Sequence, residues 1–376
     1  MNILVFSAGK YSSLDGSVVR FKNLVVNRDA GAKTVWIDGS SQKIYKTENL
    51  DSKIPANVKV IAGIGQAKNA ASELVARERH FLRYAEQYAE WADVAVFYSP
   101  WGCKLARREL KKRGVPLVFD YIDLIHRFRA NPLERIASRL SVLDALKTSD
   151  LVVATAFNLF EDAGRLNEKV ELIANGADVR KIALCKAVPL KQGKVRTPSV
   201  GFVGGFGKWV DFDSVLAAAK EMNGVHFYFI GDGVQRSKLE QASKRLKNVF
   251  VSPQFVPQPA AFEWMASMDA CLIPFSKNEL TDAVCPIKLF EYWSLKKPVI
   301  SSRIFEVERI AGESVLYAST PKEYEKAVER LLCDSALRSK LSKNGFAIAK
   351  QFDWNKLSVK FINALKSVAK KRGAMK

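Results

Sequence analysis

Short apolar runs alternate with helix-patterned stretches along this chain, and the alternation is played through twice. In residues 1–190 the runs at 2–7, 33–37, 58–61, 93–98, 116–121, 150–154 and 170–173 read as strands. Helical stretches at 17–27, 72–91 and 104–113, and one containing 140–147, fall between them. A second set starts at residue 199, with strands at 199–203, 225–230, 249–251, 271–274 and 299–302. Strands that are apolar throughout are buried on both faces, which is the habit of parallel sheets, and each parallel pair needs a crossover that a helix supplies. The pattern predicts an α/β chain of two doubly wound, Rossmann-like domains. The polar stretch 187–198, with Pro189, Gly193 and Pro198, reads as the linker. The expected division is 1–190, 191–352 and a C-terminal helical segment 353–376.

Composition narrows the function classes. At 376 residues, 48% hydrophobic and 26% charged, the chain has core enough for two domains. It contains no internal repeat and no apolar run of the ~18 residues a spanning helix needs. Its first residues pass straight into a strand without a basic segment, so the expectation is no signal peptide and a cytoplasmic location. Five scattered cysteines without a Cys-x-x-Cys read as reduced thiols, and three histidines without metal-pair spacing predict no metal site. A net charge of +20 calls for an anionic partner: nucleic acid, an anionic membrane surface or acidic substrates. No nucleic-acid-binding motif is present, so nucleic acid is not expected. Arg77, Arg79 and Arg83 mix with Phe81, Tyr84 and Tyr88, and residues 104–113 carry six basic side chains against Glu109. Such a surface suits an anionic bilayer, at roughly 1 kcal/mol per basic residue, and equally a solvated basic face. Peripheral attachment to the inner face of a membrane is therefore a second expectation for location.

The stretch 286–302 carries the most chemistry. Pro286 opens a helix, where a missing N–H is tolerated. Lys288 and Glu291 lie one turn apart on one face, Lys296 and Lys297 suit the C-terminal end of the dipole, and Pro298 stops the helix before a short strand. A helix N-terminus with a lysine in its first turn attracts anions, and a carboxylate one turn on suits sugar hydroxyls. Phosphate with ribose hydroxyls means a nucleotide. The same charges also fit an i,i+3 pair on a solvated face. Upstream, the strand at 199–203 runs into Gly204-Gly205-Phe206-Gly207-Lys208-Trp209, a loop whose backbone can approach a pyrophosphate. The loop after the first strand lacks a Gly-x-Gly-x-x-Gly, so a dinucleotide fingerprint is absent. Asp120 and Asp123 stand at the carboxyl end of the strand 116–121, where acids point into a ligand crevice. Either could take a proton from a hydroxyl, or cap the next helix.

The run Pro286-Ile287-Lys288-Leu289-Phe290-Glu291-Tyr292, followed by Lys297-Pro298-Val299-Ile300, resembles the donor-site signature of the group-1, or family-4, glycosyltransferases. The likeness extends to Asp15-Gly16-Ser17, similar to the family's first glycine loop, and to Asn175-Gly176-Ala177-Asp178, similar to the turn closing its first domain. Gly231-Asp232-Gly233 resembles a second glycine turn, and Phe352-Asp353-Trp354 the entry to a final helix. The resemblance implies the GT-B fold: two Rossmann-like domains facing across a cleft, with the C-terminal helix crossing back to the first. It implies donor contacts from Gly16, Gly205, Lys208, Gly231, Val256, Lys288, Leu289 and Glu291, with Val256 in the loop under the nucleobase. Asp120 and Asp123 match the outer acids of an Asp-x-His-Glu run, with Ile122 in place of histidine. Gly205 stands where the family has a phosphate-binding arginine. Ala283 stands where the first glutamate of a Glu-x7-Glu pair would fall.

The activity implied is transfer of a hexose-type sugar from a nucleotide diphospho-sugar to a hydroxyl of a saccharide or lipid-linked saccharide, in surface polysaccharide or glycan synthesis. No metal and no cofactor beyond the donor are expected, since Lys208, Lys288 and helix N-termini would neutralise the leaving diphosphate. A nucleotide-sugar epimerase of the same fold and a non-enzymatic polyanion or nucleic-acid binder are the alternatives.

Overall fold

The computed structural model of the chain describes residues 1–12, 16–26, 32–41, 54–65, 67–129, 131–185, 195–253 and 256–373. Asp15 of the first glycine loop, residues 187–194 of the expected linker, and Gln254 and Phe255 of the nucleobase loop lie outside the described residues. The chain divides into two compact units, Met1–Ala174 with Asn355–Lys376, and Asn175–Trp354. The boundary expected at residue 190 falls outside the described residues, and the Asn175–Asp178 turn counts with the second unit.

In the first unit the strands are β1 (Asn2–Ser7), β2 (Lys33–Asp38), β3 (Val58–Ile61), β4 (Val94–Phe97), β5 (Leu117–Tyr121), β6 (Leu151–Ala154) and β7 (Val170–Leu172). The helices are α1 (Gly16–Phe21), α2 (Ala70–Tyr88), α3 (Lys104–Lys112), α4 (Pro132–Thr148) and α5 (Phe157–Gly164). All strands pair in parallel in the order β3-β2-β1-β4-β5-β6-β7. Central strands β4, β5 and β6 are buried along their whole length, which is why they read as unbroken apolar runs. Between the sheet and α2, Phe6 stacks on Phe97 with ring centres 4.6 Å apart and meets Phe81 edge-on at 5.2 Å. The strand order reverses between β1 and β4, which makes the carboxyl ends of those strands the switch point where ligands bind in such sheets.

The second unit holds α6 (Val179–Ala183), β8 (Ser199–Val203), α7 (Phe212–Glu221), β9 (His226–Ile230), α8 (Arg236–Arg245), β10 (Val249–Val251), α9 (Gln258–Ser267), β11 (Ala270–Ile273), α10 (Glu279–Asp282), α11 (Ile287–Ser294), β12 (Val299–Ser301), α12 (Phe305–Ala311), β13 (Leu316–Tyr317), α13 (Pro321–Cys333) and α14 (Ser335–Ala349). Its sheet is also parallel, in the order β10-β9-β8-β11-β12-β13, with the switch between β8 and β11. The final helix α15 (Trp354–Gly373) returns to the first unit. There Ser358 Oγ donates to Leu24 O at 2.8 Å, and Phe361 packs edge-on against Phe21 at 6.0 Å.

Some elements differ from expectation for local reasons. The helix expected over 17–27 is α1 followed by a wider π turn, Lys22–Val26. Helix α4 contains the expected 140–147, and its start is set by Asn131, which accepts from the N–H groups of Leu133 and Glu134, with Pro132 at the first helical position. Helix α8 went unread because Leu239 is its only buried residue, which leaves no apolar period to detect.

Candidate functional site

The site in the second unit is built on α11. Its buried face, Leu289, Phe290, Tyr292 and Trp293, seats it against the sheet and α14. Trp293 fills the space left by Gly345, where a β-carbon would come within 2.1 Å of the indole. Leu289 is fully buried, so its side chain is a packing residue rather than a donor contact. The helix ends at Ser294, one turn before the lysines expected to close it. Lys296 adopts a left-handed φ of 54°, and Lys297 N–H donates back to Tyr292 O at 3.0 Å, a Schellman-type stop.

The same helix fixes the glycine loop. Tyr292 OH accepts from Val203 N–H at 3.1 Å, tying α11 to the last residue of β8. Gly204 follows with φ +148°, and a β-carbon there would lie 2.9 Å from Lys288 Nζ. One turn before Tyr292, Lys288 thus lays its ammonium directly over the loop, above the rings of Phe202 and Phe275 at 5.2 and 5.6 Å. Glu291 shares this environment. Burial pulls the Lys288 ammonium below its ordinary range, with Glu291 opposing. Burial pushes the Glu291 carboxyl up to about 7, with Lys288 opposing. Among the described residues neither charged group has a hydrogen-bond or ion-pair partner. Two opposite charges are thus desolvated one turn apart, and neither closes on the other.

The loop itself is locked from the β9 side. Gly231, at φ +148°, has no room for a side chain, since a β-carbon would meet Gly204 O at 1.9 Å. Phe206 N–H donates to Asp232 O at 2.8 Å, and Gln235 Nε2 donates to Gly207 O at 2.6 Å. Arg236 braces the turn from below, donating to Asp232 Oδ1 at 2.7 Å, Gly231 O at 2.5 Å and Ser252 O at 2.9 Å. Because Gly231 N–H is spent on Ser252 Oγ at 3.0 Å, Gly231 lets two loops meet; it does not itself offer a donor to a ligand. By contrast the N–H groups of Gly205, Gly207 and Lys208 have no acceptor among the described residues. Gly205 is exposed with open space where a side chain would go, and the Lys208 side chain is exposed. Three N–H groups without an acceptor among the described residues, and the Lys288 ammonium, thus lie at the carboxyl end of β8, beside the switch point. Val256 lies half-buried before Pro257, which opens α9. Where the family's first glutamate would stand, Ala283 is 2% exposed, and neighbouring Asp282 accepts from Phe305 N–H at 2.8 Å, at the start of α12.

The first unit separates the two acids. Asp120 is wholly buried and both its oxygens accept from Arg20, Nε and Nη2 each at 2.9 Å. Arg20 Nη1 also donates to Ala174 O at 2.9 Å. Burial pushes the Asp120 carboxyl up while the guanidinium pulls against it. Asp120 therefore has both oxygens engaged by Arg20 and no exposure. Asp123, two residues past the end of β5, is half-buried, and its carbonyl accepts from Ile125 N–H at 2.8 Å. Gly16 is exposed at the start of α1. Sequence reading missed Arg20 as the partner of Asp120, and Arg236 and Tyr292 as braces of the glycine loop. The partner of Arg20 lies a hundred positions away and Tyr292 bonds to the backbone of β8, so no local pattern marks them; Arg236 does have a local signal, its i,i+4 spacing from Asp232. Among the described residues no three His, Cys, Asp or Glu side chains gather as a cation site, and no helix is long and apolar enough to cross a membrane.

Residues 197–334 match the family described as Glycosyl transferases group 1. The chain is 26% identical over 206 residues to TuaH of Bacillus subtilis (strain 168), a glycosyltransferase whose name gives it a provisional place in teichuronic acid biosynthesis; the match spans 51% of this chain and 49% of TuaH. It is 29% identical over 185 residues to the lipopolysaccharide core biosynthesis glycosyltransferase LpsD of Rhizobium meliloti (strain 1021), spanning 47% of this chain and 51% of LpsD. The chain thus spans about half the length of these relatives. Among solved structures, Anabaena Alr3699/HepE, in complex with UDP and glucose, superposes with a TM-score of 0.75 at 19% identity, covering 98% of this chain and 100% of that one. Residues 197–334 thus resemble the group-1 glycosyltransferases, and the whole chain has the GT-B fold of two Rossmann-like units.

Proposed function

We propose that the protein transfers a sugar from a nucleotide diphospho-sugar to a hydroxyl of a saccharide or lipid-linked saccharide, in the synthesis of a surface polysaccharide or glycan. The second unit holds the donor. Lys288, Lys208 and the N–H groups of Gly205 and Gly207 bind the diphosphate, Glu291 accepts from the ribose hydroxyls, and the segment at Val256 lies under the base. Lys288 takes the place of the arginine that Gly205 lacks. The same cations neutralise the leaving diphosphate without a metal ion. The first unit takes the acceptor, and Asp123 removes the proton of the attacking hydroxyl; Gly16 is counted with the donor contacts. Asp120 is a positioning residue: held by Arg20, it fixes the end of β5 from which Asp123 projects. The protein works peripherally at an anionic membrane surface on the cytoplasmic side.

One observation carries this reading: the Lys288 ammonium lies over the backbone of Gly204, desolvated and without a hydrogen-bond or ion-pair partner among the described residues, one turn from an equally unpaired carboxylate. Nucleotide-sugar binding by HepE is consistent with it, since that protein was solved with UDP-glucose. The test is thermal protection followed by a transfer screen. UDP or GDP should raise the melting temperature where an oligonucleotide does not, and Glu291→Ala should remove the shift. Protection that survives Glu291→Ala unchanged defeats the ribose assignment, and protection by oligonucleotide alone defeats the transferase.

A further inference from the structure

Exposed large apolar side chains are spread singly through most of the chain, as is ordinary for a folded surface. Residues 128–140 are the exception. Phe128 is 46% exposed, Leu133 76%, Ile136 58% and Leu140 60%. Leu133, Ile136 and Leu140 recur at the spacing of one helix face, and the opposite face of α4, with Ser138, Val142, Ala145 and Leu146, is buried. The reason for the exposure is geometric. Ser141 Oγ donates to Pro100 O at 2.9 Å, and Pro100 stands just past the carboxyl end of β4. Lys111 Nζ donates to Thr148 O at 3.0 Å, so α3 and α4 run side by side. Before Ser141 the inner face of α4 packs on the 3-10 turn Ile125–Phe128, with Ser138 fully buried, and leaves Leu133, Ile136 and Leu140 on the outer face. Those side chains are exposed rather than packed in this chain's own core.

The charges around this face are mostly basic. Arg127, Arg129, Arg135 and Arg139 fall between residues 126 and 143, against Glu134 as the sole acid in that span. Arg139 is ion-paired with Asp162 at 3.3 Å. Arg129 lies over the ring of Trp101 at 5.5 Å, which adds an amphipathic aromatic to the rim. Beside α4, helix α3 exposes Lys104, Leu105, Arg108, Lys111 and Lys112. A second copy of this chain would bring arginines against arginines, which like-charge repulsion disfavours. Apolar side chains ringed by arginines and a tryptophan complement a surface with an apolar interior and anionic headgroups.

We propose that Phe128, Leu133, Ile136 and Leu140, rimmed by Arg127, Arg129 and Arg135, are a docking surface for an anionic lipid bilayer. This assigns a place to the membrane contact proposed above and rests on that part of the reading, not on sugar transfer. Asp123 lies at the same carboxyl edge, immediately before the 3-10 turn Ile125–Phe128 that leads into α4. A bilayer on this surface presents a lipid-linked hydroxyl to the edge that carries the base.

The test uses the full chain in co-sedimentation with phosphatidylcholine vesicles, with and without phosphatidylglycerol, at low and high salt. The expected result is binding that needs phosphatidylglycerol, weakens with salt, and falls on the order of tenfold or more in Leu133→Ser/Ile136→Ser. Both substituted residues are exposed, so the variant's melting temperature and UDP binding should match those of the parent. Failure of the parent to bind phosphatidylglycerol vesicles overturns the proposal, as does equal binding by the double variant. Loss of a dimer in sedimentation of the double variant, with vesicle binding intact, also overturns it and makes the face an interface between copies. Vesicle binding without any nucleotide binding would leave the surface standing and remove the transferase reading.

Discussion

Each unit contains one pair of opposite charges taken out of water, and the two pairs are handled in opposite ways. In the first unit Arg20 and Asp120 close on each other with two hydrogen bonds, and a third binds Arg20 to a carbonyl. In the second, Lys288 and Glu291 share a partly buried space one turn apart on α11 without bridging. A closed pair satisfies its own desolvation and is a fastener. An open pair is held at a stability cost, and a ligand that brings an anion and hydroxyls can offset that cost.

Breaking the closed pair should have the largest effect. Asp120→Ala leaves Arg20 buried beside an empty pocket, and urea unfolding should show a loss of about 3–5 kcal/mol. Little change would mean that water or a neighbour replaces the carboxylate and the contrast is false. Next comes the proposed base: Asp123→Asn should lower the rate of transfer by about a hundredfold or more while UDP affinity holds. A parallel fall in affinity would make Asp123 a structural residue. Opening the other pair should affect binding instead of folding. Lys288→Ala should weaken UDP binding by roughly ten- to a hundredfold, as expected for a charge-assisted contact, without lowering the melting temperature of the free protein. Gly204→Ala asks whether the ammonium must lie on the loop. The added methyl meets Lys288 Nζ at a backbone φ of +148°, so stability should drop by about 1–3 kcal/mol and UDP affinity should fall with it.

The contrast also shows how far the sequence could be read. The strands and the fold class were legible because buried parallel strands leave unbroken apolar runs, as β4, β5 and β6 do. Lys288 and Glu291 were legible because both lie on one short helix, where spacing alone fixes a shared face. What the spacing did not show is that they do not bridge, which depends on Phe202, Phe275 and Gly204 from other elements. Asp120 and Asp123 looked equivalent because they are three residues apart. Their difference is made by Arg20, a hundred positions earlier in the chain. The exposed apolar face of α4 was not read because the helix carries apolar side chains on both faces, and spacing alone does not show which face is buried.

The most direct test of the open pair is the pH dependence of Glu291. Its folded carboxyl is held at about 7, above the ordinary value of 4.5. Between those values the native state holds a proton that the unfolded chain releases, so burying Glu291 destabilises the protein increasingly as pH rises to about 7. Ribose hydroxyls donate to the ionised form, so UDP binding should run the opposite way. Calorimetric titration with UDP across this range, using Glu291→Gln to subtract the nucleotide's own titration, reads the two effects together with thermal melts. The account predicts that wild-type affinity rises through pH ~7 relative to Glu291→Gln, while that variant melts higher than wild type above pH ~7. Affinities that track each other at every pH, or a variant that binds UDP as tightly as wild type, would contradict it.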